Sequence, residues 1–442
     1  MDYTPHTNED IEAMLAAIGV GSLDDLFEPI PEAVRLHRPL DLPTGLAENE
    51  VLDLLAGLAA RNVGTDRLTC FAGGGAYDHY VPAPVRHLAY RSEFATSYTP
   101  YQPELSQGVL AALFEYQTMI CELTGMEVAN ASLYDGASAL AEGVNLALGA
   151  TGRSRVMVSE GLDPTYRRVL ETLAPGRGYE IVTASARTGT THVADCSESA
   201  CVVIAQPNFL GGIEDLRAAA DAAHAEGALL VVSFDPLAAG ILEAPGALGA
   251  DVVTGEGQSL GGSLNYGGPY LGILATRTEH VRRVPGRIVG ATVDVDGTPG
   301  YVLTLQAREQ HIRREKATSN VCTNQTLMAI AASVYLAWLG PRGLRELGET
   351  CLAGARHTAE LLSSVQGCSL AFDVPTFKEF VLRLPMDDTE VVRALASEGF
   401  LLGPALRRWF PWIGNAVLVA VTERRSADEV ERLAKALAVV VA

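Results

Sequence analysis

The sequence predicts an α/β protein with a largely parallel, doubly wound sheet in a large central region and a smaller α+β region at the C-terminus. Between residues 61 and 320, short apolar runs rich in β-branched residues alternate with alanine-rich stretches of helical composition. This alternation is typical of βαβ units, because a parallel strand needs a crossover before the next strand begins. The runs predicted to be strands are RVMVSE, YEIVTAS, ACVVIAQ, ALLVVSF, ADVVTGE and YLGILAT.

The chain has 442 residues, more than a single hydrophobic core supports, so we expect several packed regions. In the first of them, residues 8–19 form a predicted helix that is capped by Thr7 or Asn8. In the last, FKEFVLRL and NAVLVAVTE are predicted strands and SADEVERLAKALAVVVA is the predicted final helix. The predicted regions are an N-terminal helical arm (1–60), a large domain (61–320) and a small C-terminal α+β domain (321–442).

Composition and charge exclude several classes of function. The formal net charge of -20 argues against binding to nucleic acid or to an anionic membrane, since both attract clustered Lys and Arg. Seven cysteines without a CxxC pair argue against a disulfide framework or a thiolate metal site. The acidic N-terminus lacks the basic segment of a secretory signal, and the apolar stretch 327–340 is shorter than the roughly 18 residues that span a bilayer. We therefore expect a cytoplasmic protein without a metal.

One local pattern points to a cofactor fold. A predicted helix over 216–227 runs directly into the strand ALLVVSF, which ends at Asp235, and ligands of doubly wound sheets bind at such strand ends. The surrounding segments, QPNFLGGIEDL, AHAEGALLVVSFDPLAAG and ADVVTGEGQSLGGSLNYGGPYLG, resemble the cofactor-binding half of a fold-type-I pyridoxal-phosphate enzyme. In that fold an Asp at this place pairs with the pyridinium nitrogen of the cofactor. An Asp at a strand end is also common in such sheets without any ligand, and that alternative stays open.

The same fold places a Schiff-base lysine after the next strand, and this chain has none there. The segment reads GEGQSLGG, so that Gln258 stands in the expected position. A dinucleotide fingerprint is excluded as well, because GxGxxG would need glycine where Leu260 stands. The chain contains three lysines in all: Lys316, Lys378 and Lys435.

Lys316 is the alternative amine. It lies in HIRREKATSN, where Arg313 and Arg314 could favour its deprotonated form. We prefer the interpretation of this segment as a basic loop that is solvated or faces a phosphate.

Five further segments extend the resemblance over nearly the whole chain. They are MLAAIGVGSLDDLFEPIPEAVR, FAGGGAYDHYVPAPVRHL, FATSYTPYQPELSQGVLAALFEYQTMICELTGM, SLYDGASALAEG and REKATSNVCTNQTL. Together they resemble the P-protein of the glycine cleavage system, and within it the first subunit of the two-subunit bacterial form. SYTPYQPE and REKATSN are the most specific of these motifs.

The resemblance implies a fold-type-I pyridoxal-phosphate-transferase-like large domain and a division of labour. A second subunit carries the lysine and pyridoxal 5'-phosphate, while this chain binds no cofactor covalently and is inactive alone. Glycine loses its carboxylate on the partner's cofactor, and its aminomethyl group passes to the lipoyl arm of the H-protein. A heterotetramer with two copies of each subunit is expected.

The resemblance also implies that this chain completes the partner's active site, because sites of this fold lie between two like subunits. Phenol and amide groups suit the orientation of a flat ring, and a guanidinium suits a phosphate or carboxylate. The alternative for all of these residues is interface packing and turn chemistry. The candidates are Tyr98, Tyr101 and Gln102 of SYTPYQ, and Arg314, Thr318 and Asn320 of REKATSN.

Other positions are expected to be vestigial or structural. Asp235 and Gln258 stand at former cofactor positions, and Ser138 of YDGAS matches the loop that holds the cofactor phosphate in a competent subunit. The glycines of 73–75 predict a tight turn. Two other hypotheses remain: a structural or regulatory scaffold with a degenerate enzyme fold, and a self-sufficient pyridoxal enzyme that uses Lys316.

Overall fold

The structure is a computed structural model that describes residues 5–442. The chain divides into two compact units, an N-terminal unit that ends at Val63 and a main unit over Gly64–Ala442. The predicted boundary between arm and large domain, at residue 60, lies close to this division. The boundary predicted at residue 320 stays a prediction.

The N-terminal unit contains two α-helices, α1 (Asn8–Ile18) and α2 (Glu48–Ala59), and two short 3-10 helices within the described residues. A capping box begins α1: the Thr7 hydroxyl accepts from the Asp10 amide at 3.2 Å, and the Asp10 carboxylate accepts from the Thr7 amide at 2.8 Å. The predicted helix is thus confirmed, with Thr7 as its cap. No residue of 5–63 is buried, although the unit carries many leucines.

The main unit contains the remaining strands and helices of the described chain. Its strands are β1 (Thr69–Ala72), β2 (Val128–Ala129), β3 (Arg155–Ser159), β4 (Glu180–Ala184), β5 (Ser199–Gln206), β6 (Leu229–Phe234), β7 (Val252–Glu256), β8 (Gly272–Thr276), β9 (Ile288–Val293), β10 (Pro299–Thr304), β11 (Ser369–Leu370), β12 (Glu379–Arg383), β13 (Phe400–Gly403) and β14 (Ala416–Ala420). Its helices are α3 (Ala83–Ala89), α4 (Ser92–Ala95), α5 (Gln107–Thr124), α6 (Gly136–Thr151), α7 (Pro164–Arg177), α8 (Leu216–Ala225), α9 (Gln310–Arg313), α10 (Thr326–Ser363), α11 (Asp388–Ser397) and α12 (Ala427–Val440).

The central sheet has the strand order β2-β8-β7-β6-β5-β3-β4. The strands from β4 to β7 pair in parallel, whereas β8 pairs antiparallel with β7 and β2 antiparallel with β8. Each of the apolar runs picked out in the sequence forms one of these strands, so the predicted doubly wound sheet is confirmed. The antiparallel direction of β8 has a simple cause: a loop rather than a crossover helix joins β7 to β8.

Both faces of this sheet are buried. Along β5, Val202 and Ile204 belong to one apolar core, while Cys201 and Val203 belong to a second core on the opposite face. This period of two, with every residue of β5 buried, is what a strand covered by helices on both sides requires.

The C-terminal part is an α+β assembly, as the sequence predicts. Strands β11, β12 and β14 form an antiparallel sheet. Next to it β13 pairs in parallel with β1, which comes from the beginning of the main unit. The C-terminal assembly therefore includes residues 69–72 as well as residues beyond 320.

Helix α10 begins with the apolar stretch predicted to be buried. Its first half buries Ala329, Ile330 and Tyr335 among other residues, so the prediction of a core helix is confirmed. The helix is interrupted at Gly340, where φ is 61°, and Pro341 follows. An 18-residue stretch of α10 is apolar enough to resemble a membrane span, but this resemblance is weak because buried core helices have the same composition.

The glycine turn after β1 is packed against the C-terminal sheet. A β-carbon at Gly73 would collide with the carboxylate of Glu379 on β12 and with the methyl group of Ala420 on β14. Gly74 and Gly75 have φ values of 85° and 108°, which side chains of L-residues rarely adopt. The tight turn predicted over 73–75 is thus confirmed.

We predict that Gly73→Ala lowers the free energy of unfolding by about 1–3 kcal/mol, because the added methyl group overpacks a closed contact. The matched control is Gly176→Ala in α7, where a β-carbon meets nothing within 4 Å, and a helical Gly→Ala change is expected to be neutral or stabilising. Denaturant unfolding of both variants checks this. Equal stability of the two variants would contradict the close contact at Gly73.

Candidate functional site

A cleft lies where the parallel strands of the central sheet end. Residues that follow β3, β5 and β6 line it, among them Asp163, Asn208 and Asp235. A second cavity, which reaches Ser138 at the start of α6, adjoins the first. The two cavities share the lining residues Gly75, Asp163, Tyr166 and Glu256. The structure therefore brings the predicted cofactor positions Asp235 and Ser138 to one continuous cleft.

Asp235 is not free at the end of β6. Its carboxylate lies 2.7 Å from the ammonium nitrogen of Lys378, and the two side chains are only 14% and 2% exposed. The same nitrogen lies 3.5 Å from the ring centroid of Tyr77 and 3.4 Å from Nε2 of His79. Lys378 is thus held by a carboxylate, an aromatic face and an imidazole at once.

Lys378 is the functional residue that the sequence reasoning missed. It directly precedes β12, and its ammonium pairs with Asp235, a residue that lines the cleft. Lys316, in contrast, is exposed. Its signal in the sequence was the rarity of lysine together with its place beside an apolar strand.

His79 connects this ion pair to a second buried group. Its Nδ1 lies 2.7 Å from Glu423, whose other oxygen accepts from the Tyr80 amide at 2.6 Å. Burial lowers the pKa of His79, and the neighbouring Lys378 lowers it further. The imidazole is therefore neutral, accepts from Lys378 at Nε2 and donates to Glu423 at Nδ1.

His79, Glu423 and Cys351 lie close enough together to resemble a metal-ligand set. Burial raises the pKa of the Cys351 thiol to about 12, so this group is not a thiolate at neutral pH. The ammonium of Lys378 beside His79 also opposes a bound cation. The arrangement is that of a hydrogen-bonded network rather than of a metal site.

Glu379 fixes the glycine turn and Tyr77 against the cleft. One of its oxygens accepts from the Gly74 amide at 2.8 Å and the other from the Tyr77 hydroxyl at 2.9 Å. Burial raises the pKa of Glu379 to about 7. Lys378 and Glu379, which are neighbours in the chain, thus both reach from the C-terminal sheet to the strand-end cleft.

Gln258 is buried, and both the oxygen and the nitrogen of its side-chain amide form hydrogen bonds to the backbone. Its oxygen accepts from the Tyr77 amide at 2.9 Å, and its nitrogen donates to the carbonyls of Tyr77 at 3.0 Å and Gly262 at 2.7 Å. The side chain is 2% exposed. It ties the Tyr77 segment to the loop after β7 and offers no amine to a carbonyl compound.

The N-terminus of α6 is capped by carboxylates. Glu256 accepts from the Gly136 amide at 2.9 Å, and also from the amides of Gln258 at 3.0 Å and Leu271 at 2.9 Å. Asp135 accepts from the Ser138 amide at 2.7 Å. Burial raises the pKa of Glu256 to about 7, although the three amides act in the opposite direction. Backbone amides at a helix start can bind a phosphate, and here acidic side chains accept from the amides of Gly136 and Ser138.

The residues of this cleft do not fit pyridoxal phosphate. The expected place of a Schiff-base lysine holds an amide, the carboxylate for a pyridinium is already paired with Lys378, and the amides of Gly136 and Ser138 at the helix start already donate to carboxylates. The side chain of Asp135, which also lines the second cavity, would moreover oppose a phosphate beside it.

The candidates for a partner's site lie in a different part of the surface. Tyr98 is 89% exposed and Tyr101 is 52% exposed, and Gln102 is exposed as well. Tyr98 lines a cavity together with Thr99, Arg287 and residues 323–328. That cavity shares no lining residue with the strand-end cleft.

Arg287 connects the two candidate segments, and the sequence reasoning missed it. Its guanidinium donates to Thr99 at 3.1 Å, to the Cys322 carbonyl at 2.7 Å and to Asn324 at 2.6 Å. It also lies 5.7 Å from the ring centroid of Tyr101. Only 4% of Arg287 is exposed, so it fixes the Tyr98–Tyr101 loop on the segment that follows REKATSN.

The second candidate set is less closely assembled. Arg314 and Asn320 are exposed, and Arg314 has a φ of 55°. Thr318 lines a small cavity with Arg282, Arg283 and Arg308. Within residues 5–442, no hydrogen bond joins Arg314, Thr318 or Asn320 to the Tyr98–Gln102 loop. The two sets lie on neighbouring segments, and the ring of Tyr101 packs against His311 at a centroid distance of 6.2 Å.

Comparison with known proteins agrees with this architecture. The family model described as "Glycine cleavage system P-protein" matches residues 1–437. The chain is 50% identical over 442 residues to a "Probable glycine dehydrogenase (decarboxylating) subunit 1" of Desulforamulus reducens, and 48% identical to the protein of that name in Moorella thermoacetica, with 99% of each chain covered.

Solved structures show the same fold. A crystal structure of glycine decarboxylase (P-protein) of the glycine cleavage system, in inhibitor-bound form, superposes with a TM-score of 0.92 at 49% identity and 100% coverage of both chains. The sphingosine-1-phosphate lyase of Burkholderia pseudomallei has a TM-score of 0.66 at 15% identity, with 93% of this chain and 94% of the lyase covered. The fold is thus that of the fold-type-I pyridoxal-phosphate enzymes, and the chain belongs to the P-protein family of the glycine cleavage system.

Proposed function

We propose that this chain is the cofactor-free subunit of a two-subunit glycine decarboxylase. Its partner, a second subunit with the Schiff-base lysine, carries pyridoxal phosphate, and the two work together in the cytoplasm as a heterotetramer. The observation that carries the proposal is the environment of Gln258. A fully hydrogen-bonded amide stands where the cofactor's lysine is expected, and Asp235 in the cleft beside it is paired with Lys378.

The proposed reaction is the decarboxylation of glycine and the transfer of the aminomethyl group to the lipoyl arm of the H-protein. The partner's pyridoxal phosphate supplies the electron-withdrawing ring. This chain supplies groups that orient the substrate from across the subunit boundary. Tyr98, Tyr101 and Gln102 offer phenol and amide groups, and Arg314, Thr318 and Asn320 offer groups suited to a carboxylate or phosphate.

Exposure and rigidity support this assignment. Tyr98 is nearly fully exposed, yet its loop is held by the buried Arg287 through Thr99 and by the contact of Arg287 with Tyr101. An exposed aromatic group on a fixed loop is suited to contact a neighbouring subunit, because little side-chain entropy is lost on binding.

The N-terminal unit offers a further surface for the partner. Its leucines are well exposed, for example Leu52 at 60% and Leu55 at 55%. Exposed apolar surface of this extent marks an interaction site in soluble proteins. We assign this surface to the same partner subunit.

Two alternatives make different predictions. A structural or regulatory scaffold would use the Tyr98–Gln102 loop and REKATSN only for packing. A self-sufficient enzyme would need Lys316 in the strand-end cleft, whereas Lys316 is exposed and lines neither cavity of that cleft.

We expect borohydride to fix no pyridoxyl group on the isolated chain as purified, without added pyridoxal phosphate, because no amine stands at position 258. Peptide mass spectrometry checks this. A pyridoxyl group on the peptide that contains Lys316 would establish the self-sufficient enzyme instead. Gln258→Lys alone is expected to restore no activity, since the surrounding groups that would position the cofactor are missing.

We expect the chain to co-purify with its partner through an interface of roughly 2,000 Å² or more, the size of permanent complexes. Alone, it should self-associate, and addition of the partner should raise its unfolding temperature. Sedimentation and thermal unfolding of the separate and mixed chains check this. A monodisperse monomer whose stability is indifferent to the partner would argue against the assignment.

We predict that Tyr101→Phe and Arg314→Ala each lower glycine decarboxylation by the assembled complex about a hundredfold or more, the usual effect of losing one well-placed donor. Exchange of labelled carbon dioxide at saturating partner measures this. Arg356→Ala is the matched control, since Arg356 is an exposed arginine that pairs within α10 with Glu360.

Assembly and cofactor content should not change in the Tyr101 and Arg314 variants. A sizing column and the absorbance of the bound cofactor test these two properties. If both variants assemble and turn over like the wild type, these residues only pack, and the scaffold alternative is favoured.

A further inference from the structure

The loss of a lysine does not by itself keep pyridoxal phosphate out of a cleft. The cofactor has two further charged attachment points: its ring nitrogen, which needs a carboxylate, and its phosphate, which needs backbone amides at a helix start. In this chain Asp235 and the N-terminus of α6 would serve, and both border the same continuous cleft. What occupies these two points therefore decides whether the cleft can bind the cofactor non-covalently.

The first point is occupied by the ammonium of Lys378. It lies 2.7 Å from the Asp235 carboxylate and carries the same positive charge that a protonated ring nitrogen would bring. Tyr77 covers it at 3.5 Å from the ring centroid, in the manner of a cation–π contact. Because Lys378 is 2% exposed, its charge could leave Asp235 only by moving through packed protein.

The second point is occupied by Glu256. Its carboxylate accepts from Gly136 at 2.9 Å and is held in place by the amides of Gln258 and Leu271. Asp135 takes the Ser138 amide in the same turn. A phosphate group would have to displace one carboxylate and lie beside another, and both effects oppose its binding.

The two occupied points belong to one network. Gln258 is bonded on both sides to the backbone of Tyr77, the ring of Tyr77 covers Lys378, and the backbone amide of Gln258 donates to Glu256. The glutamine at position 258 is therefore bonded to the same residues that cover Lys378 and hold Glu256 in place. Side chains of the chain itself thus occupy the groups that would bind the cofactor's ring nitrogen and phosphate.

We propose that Lys378 and Glu256 stand in for the cofactor's ring nitrogen and phosphate, and thereby close this cleft to pyridoxal phosphate and to other phosphate-bearing ligands. The proposal goes beyond the missing lysine, because it names what excludes the free cofactor. It also does not depend on the partner's active site, so that a failure here leaves the proposed glycine decarboxylation untouched.

The test uses pyridoxine 5'-phosphate, which keeps the ring and the phosphate but has no aldehyde and so cannot react with surface lysines. Binding is measured by calorimetry on the full-length chain, in complex with its cofactor-loaded partner where the chain alone self-associates. The wild type should show no binding up to millimolar ligand. The double variant Lys378→Met/Glu256→Gln should bind pyridoxine 5'-phosphate with a dissociation constant at least thirtyfold below that millimolar limit.

Lys435→Met is the matched control, since Lys435 is an exposed lysine at 77%, and this variant should behave like the wild type. Glu256→Gln alone keeps the ion pair of Lys378 and should gain affinity for inorganic phosphate as the probe. Binding of pyridoxine 5'-phosphate to the wild-type cleft would overturn the proposal, and so would a folded double variant without any gain.

A second measurement on the wild type does not depend on the folding of a variant. Amine acylation followed by peptide mass spectrometry should modify Lys316 and Lys435 but spare Lys378, with or without millimolar pyridoxine 5'-phosphate. If the ligand exposes Lys378 to the reagent, or if borohydride in the presence of pyridoxal phosphate labels it, the cleft is open and the proposal is wrong.

Discussion

The ion pair between Lys378 and Asp235 is the interaction on which the cleft depends. It joins the segment before β12, in the C-terminal sheet, to the end of β6 in the central sheet. Both charges are largely buried, and removal of one member of such a pair typically costs about 3–5 kcal/mol because the other charge is left uncompensated. Tyr77 and His79 complete its surroundings, and they in turn are fixed by Glu379 and Glu423.

Most of the fold could be predicted from the sequence, because strand and crossover patterns are local. The run ALLVVSF shows why: its β-branched residues, the helix before it and Asp235 after it all lie within twenty or so residues, about the span that periodicity can report on. The predicted cofactor positions Asp235, Ser138 and Gln258 also follow from their neighbours in the chain. In the structure Asp235 and Ser138 line the cleft, and Gln258 is bonded to Tyr77 in its wall.

The contents of the cleft could not be predicted in this way. Lys378 lies beside a C-terminal strand far from Asp235 in sequence, and nothing local to FKEFVLRL indicates which carboxylate it meets. Glu256 has the pattern of an ordinary acid at the end of a strand, and two of its three amide partners, Gly136 and Leu271, come from other segments of the chain. Arg287 could not be predicted for the same reason, because Thr99 and Cys322, which it joins, are far apart in the sequence. Polar networks of this kind depend on tertiary packing, which cannot be predicted from a short stretch of sequence.

The parallel pairing of β1 with β13 joins residues 69–72 to residues 400–403, and this has a consequence for how the protein is made. A ribosome releases the beginning of the chain long before β13 is synthesised, so β1 has no strand to pair with during nearly the whole of translation. Contacts this distant in sequence form late and slowly, and an unpaired strand edge in the meantime is prone to aggregation. The glycine turn and Tyr77, which follow β1 directly, therefore reach their final positions only when synthesis is nearly complete. The ion pair between Lys378 and Asp235, which Tyr77 covers, is among the last groups to become buried.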